Sequence, residues 1–171
     1  MSKTMILAIG GAGCNMAETI MRKASVHWVC EASYLFADSD QSRLAELARK
    51  GYQTVDLNNT EISVEDFMGV EKLYVLAGLG GKTGSGHISD AIDVARNAGV
   101  RDISAVVTIP FYFEGDNKGA KAKEVVVTLN GIPSIVLHND DLLKLYADIN
   151  FVTAFHYSDM AALKAIESGE I

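Results

Sequence analysis

Two glycine-rich turns hold the residues most able to do chemistry. The first is Gly10-Gly11-Ala12-Gly13-Cys14-Asn15, at the end of an apolar run. Glycines at a strand-to-helix turn let backbone N–H groups approach an anion, and the helix that follows adds a favourable dipole. Alone, this turn leaves two readings open, a cofactor loop or merely a tight turn. The dinucleotide fingerprint G-x-G-x-x-G fails here, because Met16 stands where the third glycine should be. The second turn is Gly78-Leu79-Gly80-Gly81-Lys82-Thr83-Gly84-Ser85-Gly86. Five glycines in nine residues exceed what packing would ask for, since each costs backbone entropy on folding. They suit a loop that wraps a polyphosphate with its amides, with the Thr83 and Ser85 hydroxyls as further donors. A P-loop reading at Gly81-Lys82-Thr83 fails, because its first glycine would fall on Leu76, inside a strand. Two such turns on one sheet point to a single ligand with several phosphates.

Other reactive side chains are arranged for less. His27 and Cys30 lack further ligands at metal spacing, so no zinc site is expected. His87, His138 and His156 are scattered and support no Ser–His–Asp assignment. Cys14 reads as a space-filler at a tight turn, not a nucleophile. No catalytic residue is assigned.

The elements that must position the turns alternate along the chain. Candidate strands are Thr4–Gly10, Ser33–Ala37, Tyr52–Leu57, Lys72–Ala77, Ile103–Ile109 and Ser134–His138. They are short and mostly continuous apolar runs, as strands covered on both faces should be. Helical patterns fill the intervals at Asn15–Ala24, Gln41–Lys50, Gly84–Ala98, Lys118–Asn130, Asp140–Asp148 and Thr153–Ser168. Ile88, Ala91, Ile92, Ala95 and Ala98 fall on one stripe and Gly99 follows as a stop, while Ala17, Ile20, Met21 and Ala24 form a second stripe. Strand–helix–strand order predicts an α/β fold, a doubly wound and mostly parallel sheet with helices on both faces. Ligands of such sheets bind at the carboxyl ends of the strands, where strand order reverses.

Composition narrows the function further. The 171 residues are 49% hydrophobic and 22% charged, an ordinary globular balance, and no repeat, linker or biased segment divides them. A net charge of −7 argues against nucleic-acid binding through bulk positive charge. No apolar run approaches a membrane span, so no membrane insertion is expected. The stretch Met5–Ile9 is broken at once by Gly10-Gly11 and reads as a strand, not a signal peptide. Two cysteines make no disulfide framework, and a cytoplasmic location is the expectation.

Four motifs occur in order: GGAGCN at 10–15, GLGGKTGSG at 78–86, PFYFEG at 110–115 and HNDDLLK at 138–144. Together they resemble the nucleotide-binding domain of the FtsZ/tubulin family, along nearly the whole chain. The second glycine turn is similar to the family's GGGTGSG, with Lys82 at the family's third glycine. The resemblance implies a Rossmann-like GTPase fold, GTP or GDP as ligand with or without Mg²⁺, and cytoskeletal or cell-division roles. It places Gly11, Ala12, Gly13 and Asn15 on one side of the nucleotide, and Gly80, Gly81, Lys82, Thr83, Gly84 and Ser85 on the other. Glu114 would hold the ribose. Lys118 stands where the family has an arginine, keeping the charge without the planar fork. A solvated loop carboxylate is the plainer alternative for Glu114. Base choice would rest on Asn139, Phe155 and Asp159: guanine offers two adjacent N–H donors that one carboxylate can accept, and adenine lacks that pair. Phe155 and Asp159 lie four apart and share a helix face; otherwise they are a core Phe and a solvated Asp.

Three departures shape the expectation. The family continues into a central helix, a loop with catalytic acidic residues and a second domain. Residues 1–171 reach only the early part of the expected central helix and hold no such acidic loop, so they read as a single nucleotide-binding domain. The stretch 40–64 is too short for the family's γ-phosphate-sensing loop. The family's Asn-Thr-Asp after the second strand is here Asp38-Ser39-Asp40, whose extra carboxylate repels a triphosphate unless Mg²⁺ bridges it. The expectation is therefore a guanine-nucleotide module with weak or no GTPase activity alone, acting by self-association or with a full-length FtsZ-like partner. An interaction scaffold with a decayed site is the alternative. A NAD-binding Rossmann enzyme, with Asp38 on a ribose, is a further one.

Overall fold

Six short runs pair side by side in the computed structural model, which describes residues 3–145, 150–169 and 171. The four central ones are largely buried, while the two edge strands are not. The strands are β1 (Thr4–Ile9), β2 (Ser33–Asp38), β3 (Gln53–Asp56), β4 (Lys72–Gly78), β5 (Asp102–Ile109) and β6 (Ser134–His138). They form one sheet in the order β3-β2-β1-β4-β5-β6, parallel at every pairing. Ile9 registers with Ala37 on one side and Ala77 on the other, so β1, β2 and β4 end nearly flush.

Alternation along each strand feeds two cores. Met5, Leu7 and Ile9 of β1 join Leu73, Val75 and Ala77 of β4 on one face. Ile6 and Ala8 join Tyr74 and Leu76 on the other. The first face is covered by α4 (Lys82–Asn97), α5 (Asp116–Thr128) and a 3-10 turn at Val64–Phe67. The second is covered by α1 (Gly10–Lys23), α2 (His27–Glu31), α3 (Gln41–Arg49) and α7 (Phe151–Ser168). The short α6 (Asn139–Leu145) links β6 to the segment before α7.

Boundaries differ from the sequence reading in instructive ways. Both glycine turns are largely helix: α1 starts at Gly10, not Asn15, and α4 at Lys82, not Gly84. Gly10 has φ +72°, a left-handed conformation that reverses the chain in one residue and lets the helix begin at once. The unexpected α2 buries only Val29 and is too short to show a stripe. Its start is held from a distance by Glu167 of α7, whose carboxylate accepts from Ser25 N (2.6 Å), Ser25 Oγ (3.2 Å) and Val26 N (3.4 Å). Helix α7 starts at Phe151, with Asn150 accepting from Thr153 N as its cap. Residues 146–148 of the expected helix Asp140–Asp148 lie outside the described residues.

Candidate functional site

Strands β1 and β4 are neighbours, yet the chain leaves them toward opposite faces, into α1 and α4. This is the switch point where ligands of open α/β sheets bind. Neither helix start is capped. The N-cap residues are Ile9 and Gly81, neither gives a side-chain hydrogen bond, and neither first turn holds an acidic residue. By contrast α3 is capped by Asp40, which accepts from Ser42 N and Arg43 N. Uncapped first turns present N–H donors without intrahelical acceptors, at the positive end of the helix dipole. Gly10 lets the two starts meet: a Cβ there would lie 3.3 Å from Gly84 N and from Thr83 Cβ.

A cleft of about 210 Å³ opens over both starts. Gly11, Ala12, Gly81, Lys82, Thr83 and Gly84 line it, with Glu114 and Lys118. The glycines divide into two kinds. At Gly11 and Gly81 a Cβ would meet nothing within 4 Å. At Gly13, Gly78 and Gly84 it would collide with Leu76 O, Ala12 Cβ and Gly78 O respectively, and at Gly80 it would crowd Lys118 O at 2.8 Å. Packing thus accounts for Gly78, Gly80 and Gly84, three of the five glycines from which the sequence suggested a loop shaped by ligand alone. Gly13, Gly80 and Ser85 do not line the cleft; Ser85 Oγ accepts from Gly80 N at 2.7 Å and pins the turn.

Glu114 and Lys118 sit one helical turn apart. Glu114 Oε1 accepts from Phe111 N at 2.9 Å, and its Oε2 lies 3.5 Å from Lys118 Nζ. The carboxylate that sequence left as either ribose ligand or solvated loop group is thus tied into the 3-10 turn Tyr112–Glu114.

A second cavity of about 170 Å³ adjoins the first, and Ala12, Thr108, Asn139 and Phe155 line both. Asn15 and Asp159 complete its far end. Together the two reach the size of small-molecule sites, roughly 300–1,000 Å³. Asn139 is buried and its Oδ1 accepts from Ser158 Oγ at 2.8 Å, which leaves its amide N–H donors uncommitted by that bond. Phe155 is 42% exposed and meets Phe111 edge-on at 5.7 Å, so it is not a core residue. Asp159 is half-buried. Burial pushes its carboxyl up to about 6, against the pull of the Thr19 hydroxyl (3.4 Å) and the Arg22 charge. Asn15 is engaged elsewhere as well, its Oδ1 accepting from Arg43 Nη1 at 2.7 Å. Thr108 and Ser158 were missed by the sequence reading. A polar residue near the carboxyl end of the apolar strand β5 was the available signal for Thr108; Ser158 had none.

Among the described residues the side chains around the cleft form no protein-built Mg²⁺ site. Asp38 Oδ1 accepts from Ser39 N (2.7 Å) and Asp40 N (3.3 Å), and its Oδ2 lies 3.8 Å from Arg43 Nε. Asp40 is the α3 cap. Neither lines the cleft. Asp38 Oδ2 is buried without a hydrogen bond, but the guanidinium beside it supplies positive charge already. Among the described residues no group of three His, Cys, Asp or Glu side chains could hold a metal. Ser39 Oγ meets Thr83 Oγ1 at 3.0 Å and joins this loop to the start of α4. Cys14 is fully buried, and burial first and Asp38 second push its thiol up to about 12, consistent with a filler. No helix among the described residues is long and apolar enough to cross a membrane.

Comparison with known proteins gives one consistent likeness. No family model matches the chain. The cell division protein FtsZ of Mycoplasmopsis pulmonis is 26% identical over 175 residues, covering 90% of this chain and 44% of that protein. The FtsZ dimer structure from M. jannaschii superimposes with a TM-score of 0.80 at 20% identity, over 99% of this chain and 55% of that one. CetZ2 from Haloferax volcanii, solved as a GTPγS-bound protofilament, gives a TM-score of 0.74 at 18% identity, over 98% and 58%. The structural likenesses establish the fold, and the chain spans about half the length of the relatives it matches.

Proposed function

Starting from an FtsZ-like chain of the FtsZ/tubulin type, we propose that it binds a guanine nucleotide across the two joined cavities. The observation that carries this reading is the convergence of two uncapped helix starts over one cleft. Those N–H donors suit a di- or triphosphate. Phe155 would stack on the base. Asp159, when ionised, would accept from the guanine N1–H and N2–H₂ donors, with Asn139 donating beside it. The GTPγS held by the CetZ2 protofilament supports the ligand class.

Turnover by the chain alone should be slow. Among the described residues Glu114 is the acidic residue lining the phosphate end, and it is held by Phe111 N and Lys118. A carboxylate so committed is poorly placed to activate water. The FtsZ dimer and the CetZ2 protofilament support self-association, or assembly with a longer relative, as the mode of action, and a cell-division or cytoskeletal role. The dinucleotide alternative has the matching strand order, but Asp38 is turned into its own backbone turn and away from the cleft.

The direct test is chromatography of nucleotide released by acid from the freshly purified protein, then titration with GDP, GTP and ATP. The expected result is bound GDP or GTP, or micromolar binding of added guanine nucleotide with ATP much weaker. Equal affinity for ATP would remove the base-reading role of Asp159. No binding of any nucleotide would favour the scaffold alternative.

A further inference from the structure

Lys82 stands where local electrostatics disfavour it. It is the first residue of the sixteen-residue helix α4, beside an uncapped N-terminus, and the equally uncapped start of α1 packs against that turn. A cation at the positive end of a helix dipole raises the energy of the empty cleft, and two such ends add to the effect. No carboxylate offsets it: among the described residues Lys82 has no ion-pair or hydrogen-bond partner. The cations nearby are differently placed, Lys118 being paired with Glu114 and Arg43 lying beside Asp38, Glu18 and Asn15. Lys82 is exposed and lines the cleft, so nothing in the packing requires it. Local rules broken without a structural gain are expected at functional or strained sites, and the exposed Lys82 is under no packing strain.

An anion in the cleft attracts both the helix ends and the ammonium, and these attractions outweigh the repulsion between them. The helix ends and the ammonium then act together on the phosphate oxygens, and the lysine supplies charge at a point where Asp38 and Asp40 are committed elsewhere. We propose that Lys82 is the counter-charge for the terminal phosphates of the bound nucleotide, and that the cleft therefore takes GTP or GDP without a divalent cation. The inference rests on the guanine-nucleotide reading and adds to it the source of phosphate charge.

The test is equilibrium binding of GTP and GDP to the full chain in EDTA and again in excess Mg²⁺, for wild type, Lys82→Gln and Lys82→Arg. Thermal melting of each variant guards against misfolding, which an exposed position should not cause. Wild type should bind GTP with nearly the same affinity in both conditions. Lys82→Gln in EDTA should be roughly 10- to 100-fold weaker, the range of a lost hydrogen bond to a charged group, with Mg²⁺ recovering part of the loss. Lys82→Arg should stay close to wild type. Inorganic tripolyphosphate should compete with GTP on wild type and poorly on Lys82→Gln, because the lysine acts on the phosphate chain and not the base. Wild-type binding that collapses in EDTA overturns the proposal. So does Lys82→Gln binding as tightly as wild type, or more tightly, since the side chain would then crowd the site. Absence of nucleotide binding by wild type in both conditions overturns the guanine-nucleotide reading and the lysine's role with it.

Discussion

Over the glycine turns the cleft offers backbone N–H groups of two helix starts, held in place because glycine lets main chain touch main chain, with the Lys82 side chain beside them, whereas the adjoining cavity offers the side chains of Asn139, Phe155 and Asp159. The difference separates what each end can tolerate. On the proposed reading, contacts that backbone would make to phosphate cannot be deleted by truncating a side chain, and are lost only by adding one. Contacts that side chains would make to the base can be removed one at a time without disturbing the sheet. Where its glycines are packed, an end built from backbone is therefore mutationally coupled to folding, and an end built from side chains is coupled to specificity.

The largest effects should come from breaking that coupling at the phosphate end. Gly84→Val or Gly13→Val would drive a side chain into Gly78 O or Leu76 O. Each should lower stability by roughly 3 kcal/mol or more, read by denaturant unfolding. Gly81→Val points into open space and should keep stability within about 1 kcal/mol of wild type while weakening every nucleotide alike. If Gly84→Val melts like wild type, the two kinds of glycine are not distinct.

Next in size is the base end. Asp159→Ala should weaken guanine nucleotides by about tenfold or more and leave ATP unchanged, measured by competition binding. A loss shared equally between GTP and ATP would move Asp159 out of base recognition.

A smaller effect follows pH. The Asp159 carboxyl sits at about 6, above its ordinary 3.8, because it is buried. It binds its proton more tightly folded than unfolded, so the stability it contributes is fully present below about pH 4 and is lost as pH rises through about 6. Guanine binding has the opposite sign, since the two N–H donors require the carboxylate. Affinity for GTP should rise between about pH 5 and 7 and then level, and Asp159→Asn should flatten the rise.

Smallest of all is the Glu114–Lys118 pair. Lys118 Nζ lies 3.5 Å from the carboxylate in an exposed i,i+4 geometry. Lys118→Ala should change unfolding free energy by about 0.5 kcal/mol or less. Its effect on nucleotide affinity should be smaller than that of Lys82→Gln. A larger effect would transfer the main phosphate charge from Lys82 to the other wall of the cleft.

Periodicity made the sheet legible. Each of the six runs became a strand within a residue or two of its expected bounds. For the four central strands the reason is that burial on both faces demands continuous apolar sequence, whereas the edge strands β3 and β6 are only partly buried. The α4 stripe of Ile88, Ala91, Ile92 and Ala95 is buried for the same reason. Helix starts were less legible. Glycine was read as loop, although at Gly10 it served to make the turn so abrupt that α1 needed none. The five-residue α2 has too little periodicity to be seen, and its anchor, Glu167, lies well over a hundred residues away along the chain. Which of Gly81 and Gly84 packing requires could not be read from spacing, since both are glycines in the same turn, both line the cleft, and only the position of Gly78 O tells them apart.

The sequence by itself determined the fold class, the parallel order implied by alternating strands and helices, and the places along the chain where a phosphate ligand could be held. Those follow from local rules: period of hydrophobicity, glycine at turns, the direction of a helix dipole. Tertiary structure alone decided which glycines serve packing, that the two helix starts meet without caps, that Asp38 turns into its own loop, and that among the described residues Lys82 is left without a partner. Each of these depends on which atoms from distant segments come within a few ångströms. That depends on how the six strands register, which spacing along the chain does not encode.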